Sequence, residues 1–443
     1  MRDILVTLLV FGSLPYILSR PYIGIYVWSW LSYMNPHRLG WGFAYNMPFA
    51  QIVAIVTLIS IFMSKEKKRF PITSLTIIWF VFLLWMAVTT FAAVYPEAAM
   101  EQFIKVLKIQ FVTILTMLLI NDREKLIGLI WVIVMSIGFF GVKGGIFTLL
   151  TGGSFRVWGP PGSFIEDNNE LALALLMIVP LIYFLFQQYE KKWVKYGLLA
   201  AVLLCLVSVI GSYSRGAFLA TGAMMVFLFR NSKKKALVAS IVVLLVPLMI
   251  LFMPKKWDER MSTIKTYDQD RSALGRINAW HFSINVANAR PSGGGFNIWT
   301  PQAFEAWAPD PDDIHVAHSI YFSVLGEHGW IGLILFLAIL WLAWRNARWV
   351  VLFSREHEGY VWAMQLASMI QVSLIAYMVG GAFLSLSYFD LPWHLIAITV
   401  VLRDYLTREQ EADVAVSLEK EPEMNGSREK RPKPSIGGPA PRW

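Results

Sequence analysis

Apolar runs of roughly 16 to 25 residues recur along this chain, each long enough to cross a hydrocarbon core roughly 30 Å thick. They fall near 47–63, 73–94, 105–120, 126–150, 169–187, 197–212, 215–230, 236–253, 319–344, 361–387 and 391–403. Residues 3–36 add two shorter stretches, split at Ser19-Arg20-Pro21, which read as a tight hairpin or as one broken span. Inside a bilayer each spanning segment must satisfy its own backbone, so such runs fold as helices. An all-α polytopic membrane protein with about 12 transmembrane helices is therefore expected, the parity resting on the first pair. Composition points the same way: 56% of residues are hydrophobic and 16% charged, against roughly 45–50% and 25% in soluble domains.

Orientation follows from the short basic loops. Lys65, Lys67, Lys68 and Arg69 form one cluster, Arg123 with Lys125 a second, and Lys191, Lys192 and Lys195 a third. Arg230 with Lys233, Lys234 and Lys235, then Arg345 with Arg348, complete the set. Counting crossings puts all five on one side, which the positive-inside rule assigns to the cytoplasm. The net charge of +9 is thus a membrane-topology signal, and a nucleic-acid partner is not expected. The single cysteine, Cys205, excludes an intrachain disulfide and reads as a small buried hydrophobe. No small-residue cleavage pattern follows the first apolar segment, so no removed signal peptide is expected.

These signals divide the chain into four parts. Residues 1–253 form an N-terminal transmembrane bundle of ten spans that includes an outer loop at 151–168. Residues 254–317 form a long outer loop, 318–403 the C-terminal spans, and 404–443 a charged, Pro-rich cytoplasmic tail too polar to order itself.

Connectivity alone does not need a loop as long as 254–317. Within it, RSALGRINAWHFSINVANAR places Leu274, Ile277, His281 or Phe282, and Ile284 at near-helical spacing. That pattern predicts an amphipathic helix on the outer face, with Arg276 and Arg271 on its polar side. A helix beginning near Ile314 would carry His315, His318 and Phe322 on one face and turn Glu327 to the other. A neutral imidazole accepts a proton near neutral pH, which makes His318 a candidate base, while a helix-start histidine bonded to loop carbonyls is the plain structural alternative.

Three further groups stand out. Ser214 is a natural N-cap that puts Arg215 in a first helical turn, where a cation is mildly unfavourable unless an anion such as phosphate joins it. The bland reading is an arginine reaching for lipid headgroups. Arg156 and the run from Glu166 to Glu170, with Asn168 and Asn169, offer polar groups suited to sugar hydroxyls, although Asp167 or Asn168 is also a natural helix cap. Asp310, Asp312, Asp313, His315 and His318 could gather around a divalent ion, but histidine is a poor ligand for hard cations and no metal is expected. The Gly293-Gly294-Gly295 run reads first as a flexible linker, and otherwise as a place where backbone approaches a glycan.

SRGAF at 214–218, an arginine in the long outer loop, and HSIYFSVLGEHGWIG at 318–332 together resemble the O-antigen ligase family, over roughly 156–343. The N-terminal part is similar to the O-glycosylation ligases of exosortase systems. The resemblance implies a GT-C-like glycosyltransferase of the bacterial inner membrane with its active site facing the periplasm. It would move polysaccharide from undecaprenyl diphosphate to a sugar hydroxyl of lipid A–core, with inversion and without metal or cofactor. By position His318 would be the base, and Arg215 and Arg276 would hold the diphosphate. Arg156, Asn168, Asn169, Arg271, His315 and Tyr321 are candidates to contact substrate. An O-antigen polymerase or a ligase with a protein acceptor would use the same residues. A transporter of lipid-linked sugars would instead carry mid-membrane charges and repeated halves; here Lys143 is the main charge within a span and no repeat is found.

Overall fold

A computed structural model of the protein describes residues 1–66, 68–231 and 271–420, with side chains described over 1–66, 68–230 and 273–412. The described residues are helical, with no strand among them, and eight of the helices are long and apolar enough to cross a membrane. The expected span at 236–253 lies outside the described residues. The chain is a multi-pass helical membrane protein.

The first pair is two helices rather than one broken span. Helix α1 (Arg2–Ser19) and α2 (Tyr22–Met34) run antiparallel. Arg2 donates to Leu39 O beyond the far end of α2, and Ser60 Oγ, near the end of α3 (Phe49–Met63), donates to Ile17 O at 2.5 Å. Helices α4 (Ser74–Phe91), α5 (Pro96–Leu119), α6 (Arg123–Leu150), α7 (Asn168–Gln188), α8 (Lys192–Gly211) and α9 (Arg215–Asn231) follow. Small residues bring α6 against α8: Gly141 meets Cys205, Gly144 meets Ser208, and Gly145 lies on the backbone of Leu204. Close approach of this kind replaces the hydrophobic drive that lipid does not provide.

Two helices follow on one end of the bundle, α10 (Arg271–Ala289) and α11 (Pro301–Trp307). The expected amphipathic helix exists, but it docks by a different face. Ala279, Phe282 and Val286 are buried with Ile298, Ala303 and Phe304, whereas Leu274 is 43% and Ile277 36% exposed. The smaller face wins because α10 lies against α12 (Ile320–Glu356), where Ala279 and Ser283 permit close packing.

Helix α12 is broken at Gly329, whose φ of 67° and ψ of −172° suit only glycine. The break frees three carbonyls, and each finds a donor: Gly294 N reaches Gly326 O at 2.8 Å, Gly295 N reaches Glu327 O at 2.9 Å, and Trp85 Nε1 reaches His328 O at 2.8 Å. The Gly293–Gly295 run is therefore a splint on the kink, because any Cβ at Gly293 would collide with the α12 backbone. Helices α13 (Val361–Gly380) and α14 (Asp390–Lys420) complete the described chain. Helix α14 runs past the expected end of order at 404, held by an Asp404–Arg408 pair at 2.8 Å and by Arg408 donating to Asn121 O. Residues 421–443 lie outside the described residues.

The two ends of the bundle differ in chemistry. At one end Lys125 pairs with Glu66, Arg123 reaches Gln188 and lies over Trp362, and Arg403 donates to Asn346. Arg345 lies here too, and Phe227, near Arg230, packs on Trp344. At the other end the loops at 35–46, 92–98, 151–167, 212–214, 290–319 and 381–390 interlock. Asn35 donates to Pro161 O, Val157 N to Gly211 O, Val94 N to Gly294 O, and Asn297 to Ala98 O.

Candidate functional site

The loop-rich end gathers the chemistry, starting at the N-terminus of α7. Asp167 is the N-cap: its Oδ1 accepts from Asn169 N and from Asn169 Nδ2, both at 2.8 Å. A carboxylate here meets the positive end of the helix dipole. Asn168 is buried and donates to Ser212 O at 2.6 Å, and the Glu166 carboxylate accepts from Gly162 N. The amide side chains proposed to meet sugar therefore spend N–H groups on building the loop. Glu170, one turn along, interacts with Asp167 and acts on its charge.

Across from this helix end, α10 lashes the loop that leads to His318. Asn278 Nδ2 donates to Asp310 O (2.7 Å) and Asp313 O (2.9 Å), and its Oδ1 accepts from Asp310 N. Trp280 Nε1 donates to Ala317 O at 2.8 Å while its ring stacks on Phe322 at 4.9 Å. With these carbonyls held by side chains of α10, the expected helix from Ile314 does not form. Helix α12 starts instead at Ile320 with Ser319 as its N-cap, and His318 sits before it in the left-handed region at φ 43°. His315, His318 and Phe322 thus share no helical face. Glu327 does point elsewhere, as expected: it is buried and accepts from Tyr388 OH at 2.6 Å and from Asn297 N.

His318 is half-buried and faces charges from three elements. Burial, then the Arg276 guanidinium and His315, hold its pKa below the ordinary imidazole value, against an opposing pull from Asp167. Partial burial works to raise the Asp167 carboxyl. Hydrogen bonds with Glu170 and Asn169 and the nearby His318 outweigh it, so Asp167 lies below its ordinary value and stays ionised. Arg276 faces both Glu170 and His318. His315 Nε2 is 3.0 Å from Asp313 Oδ1. Asp167, Glu170, Arg276, His315 and His318 thus act on one another electrostatically at this end of the bundle, and His315 packs against Gly275, next to Arg276.

The other candidates lie around this cluster. Ser214 caps α9 and accepts from Ala217 N at 3.2 Å, which puts Arg215 in the first turn. Gly216 abuts Phe383, whose ring is 6.4 Å from Trp280, so this turn shares the loop-rich end with His318. Arg156 is exposed beside Tyr213. The Tyr321 hydroxyl is committed to Met378 O at 2.8 Å. Arg271 opens α10, and its side chain lies outside the described residues. Among the described residues no three of His, Cys, Asp and Glu form a metal-ligand set; Asp310 Oδ1 instead accepts from Asp312 N in a local turn.

Residues 199–337 match the family model described as O-Antigen ligase, across Arg215, Arg276, His315 and His318. They form an O-antigen ligase domain. Residues 1–190 match a different model, described as a family of unknown function (DUF5935). No curated protein matches the chain. The O-antigen ligase match supports enzyme activity of the general ligase and polymerase type. The charges that act on His318 do not all come from that domain, since Asp167 belongs to the segment of unknown function. Asp167 and Glu170 were not singled out by sequence as site residues. Their signal was a glutamate one turn inside an apolar span, where a charge is costly unless it has partners.

Proposed function

We propose that the protein is an O-antigen ligase, moving polysaccharide from undecaprenyl diphosphate to a sugar hydroxyl of lipid A–core on the periplasmic side of the bacterial inner membrane. The observation that supports this reading is the match to an O-antigen ligase domain that contains both His318 and Arg276, with the Arg276 guanidinium acting on the His318 imidazole at the loop-rich end. The basic clusters at the opposite end support a periplasmic site. We read the architecture as GT-C-like, with the described helices and the apolar run at 236–253 giving twelve or thirteen crossings.

The neutral His318 ring takes the proton of the acceptor hydroxyl as its oxygen attacks the anomeric carbon. The bond from that carbon to the lipid diphosphate breaks on the opposite face, which inverts the centre. Arg276 and Arg215 meet the negative charge that builds on the departing diphosphate, a task for pre-oriented donors that needs no metal. An apolar groove of about 880 Å³ between α2, α6, α7 and α8, lined by Trp30, Trp131, Phe139 and Lys143, holds none of these residues.

Substituting His318→Ala or Arg276→Ala in cells tests the reading. Protein level should hold while lipid-linked polymer accumulates and lipopolysaccharide loses its long chains. Normal long-chain lipopolysaccharide in both variants would overturn it, and single repeat units left on the carrier would point to a polymerase.

A further inference from the structure

The loop that ends at His318 lies along α10 in an alternating register. Asp313 O accepts from Asn278 Nδ2 at 2.9 Å, the His315 ring packs on Gly275, and Ala317 O accepts from Trp280 Nε1 at 2.8 Å. Between them, Ile314 and Val316 are 39% and 40% exposed. Odd-numbered residues therefore face the helix and even-numbered ones face away, the two-residue period of extended chain. A Cβ built on Gly275 would stand 2.3 Å from His315 Cδ2 and 2.8 Å from its Nε2, so only glycine leaves room for the ring in this position. His315 Nε2 lies 3.0 Å from Asp313 Oδ1. A carboxylate only accepts, so Nε2 carries the hydrogen. One edge of the imidazole is thus used up, with Cδ2 against α10 and Nε2 on Asp313. Nδ1, on the opposite edge, has no hydrogen-bond partner among the described residues. An ion pair this exposed adds little to stability. What it fixes is the direction of Nδ1.

We propose that His315 is a specificity residue that reads a hydroxyl of the sugar joined to the lipid diphosphate, with Gly275 and Asp313 as its positioning residues. This rests on the reading of Arg276 as a diphosphate-binding residue. Gly275 and Arg276 are consecutive in α10, so the seat of the ring and the diphosphate contact are one residue apart. The group bonded to the donor's diphosphate is its first sugar, and the hydroxyls of that sugar are the nearest partners for a side chain held here. Nδ1 of the neutral ring accepts from a hydroxyl, and a charged ring donates to the same oxygen. Recognition is by hydrogen bonding alone, and no bond is made or broken. A donor that lacks the hydroxyl leaves the ring nitrogen without a partner, which is how a polar contact discriminates against a close analogue.

The test uses the full-length protein in nanodiscs, purified lipid A–core, a synthetic polyprenyl-diphosphate oligosaccharide, and monodeoxy versions of its first sugar. The wild type should use one monodeoxy donor about tenfold less well in kcat/KM, and His315→Ala should lose that preference. With the intact donor, His315→Ala should raise donor KM by about tenfold and leave kcat and acceptor KM near their wild-type values. Gly275→Ala displaces the ring and should do the same. Asp313→Ala should follow, whereas Asp313→Asn keeps an acceptor for the Nε2 hydrogen and should stay near the wild type. His315→Ala removes the ring without touching α10, so the test stands even where Gly275→Ala misfolds. An unchanged donor KM in His315→Ala, or a preference among the deoxy donors that survives the substitution, overturns the proposal and leaves the pair as a plain loop staple. If the wild type binds this donor but transfers nothing, the ligase reading falls, and donor binding by the same variants still decides the role of His315. A donor that does not bind overturns both.

Discussion

The Trp280 indole N–H donates to the Ala317 carbonyl at 2.8 Å, one peptide ahead of His318. With the Trp280–Phe322 stack on the other side of the same loop, this bond fixes the chain where it enters left-handed backbone. Position, more than local helix propensity, is what His318 receives from its neighbours.

Trp280→Phe isolates the bond from the stack. The phenyl ring keeps an aromatic face toward Phe322 but has no donor, so the buried Ala317 carbonyl loses its partner at a cost of about 1–3 kcal/mol. Transfer should fall by about tenfold through misplacement of His318, with little change in expression. Initial rates on purified protein, set beside a thermal-unfolding midpoint, check this; a full rate with a lowered midpoint would assign Trp280 to stability alone.

The kink of α12 makes an opposite pair of glycine predictions. At Gly329 a Cβ would run into Pro291 O, and the backbone angles are unfavourable for any other residue, so Gly329→Ala should cost about 2–3 kcal/mol and lower the yield of folded protein. Gly222 in α9 has open space around its missing Cβ. There Gly→Ala should be neutral or stabilising by up to about 1 kcal/mol. Thermal midpoints of the two variants in one detergent provide the comparison.

What could be read from sequence divides along the range of the forces involved. Spans such as 73–94 and 215–230 were legible because apolar length alone decides them, and α4 and α9 lie at those positions. Helix α5 begins at Pro96, earlier than its apolar core, since Glu97 and Glu101 hide a helical start outside the greasy stretch. The missing helix from Ile314 and the break at Gly329 were not legible. Each is set by a partner distant in sequence, Asn278 and Trp280 for the first and the Gly293–Gly295 run for the second. His318 and Arg276 were visible as residue types in an unusual loop. Asp167 was visible only as a cap and as one member of a polar run, because nothing local says which charges a capping carboxylate will act on across the bundle.

The left-handed backbone at His318 predicts a trade between stability and activity. A side chain at φ 43° carries a steric cost that glycine does not. Comparing His318→Gly with His318→Ala removes the imidazole from both and leaves only the backbone term. The glycine variant should be more stable than the alanine variant by about 0.5–1 kcal/mol after the larger chain entropy of glycine is deducted. Neither should transfer glycan. An alanine variant as stable as the glycine variant would show that the loop relaxes once the ring is gone.

Opposite charges around His318 predict opposite displacements of the acidic limb of activity. In the proposed mechanism the base works as the neutral ring, so transfer should be lost as pH falls through the His318 pKa, which burial, Arg276 and His315 hold below the ordinary value. The wild-type enzyme should therefore keep its activity into mildly acidic solution. Arg276→Gln removes a cation that favours the neutral ring, so the limb should move to higher pH, on top of a lower rate from weaker diphosphate binding. His315→Gln should move it the same way, while Asp167→Asn should move it down. Plots of kcat/KM against pH for the three variants, each normalised to its own plateau, separate limb position from rate. Displacement of all three in one direction would mean that a group other than His318 sets the limb.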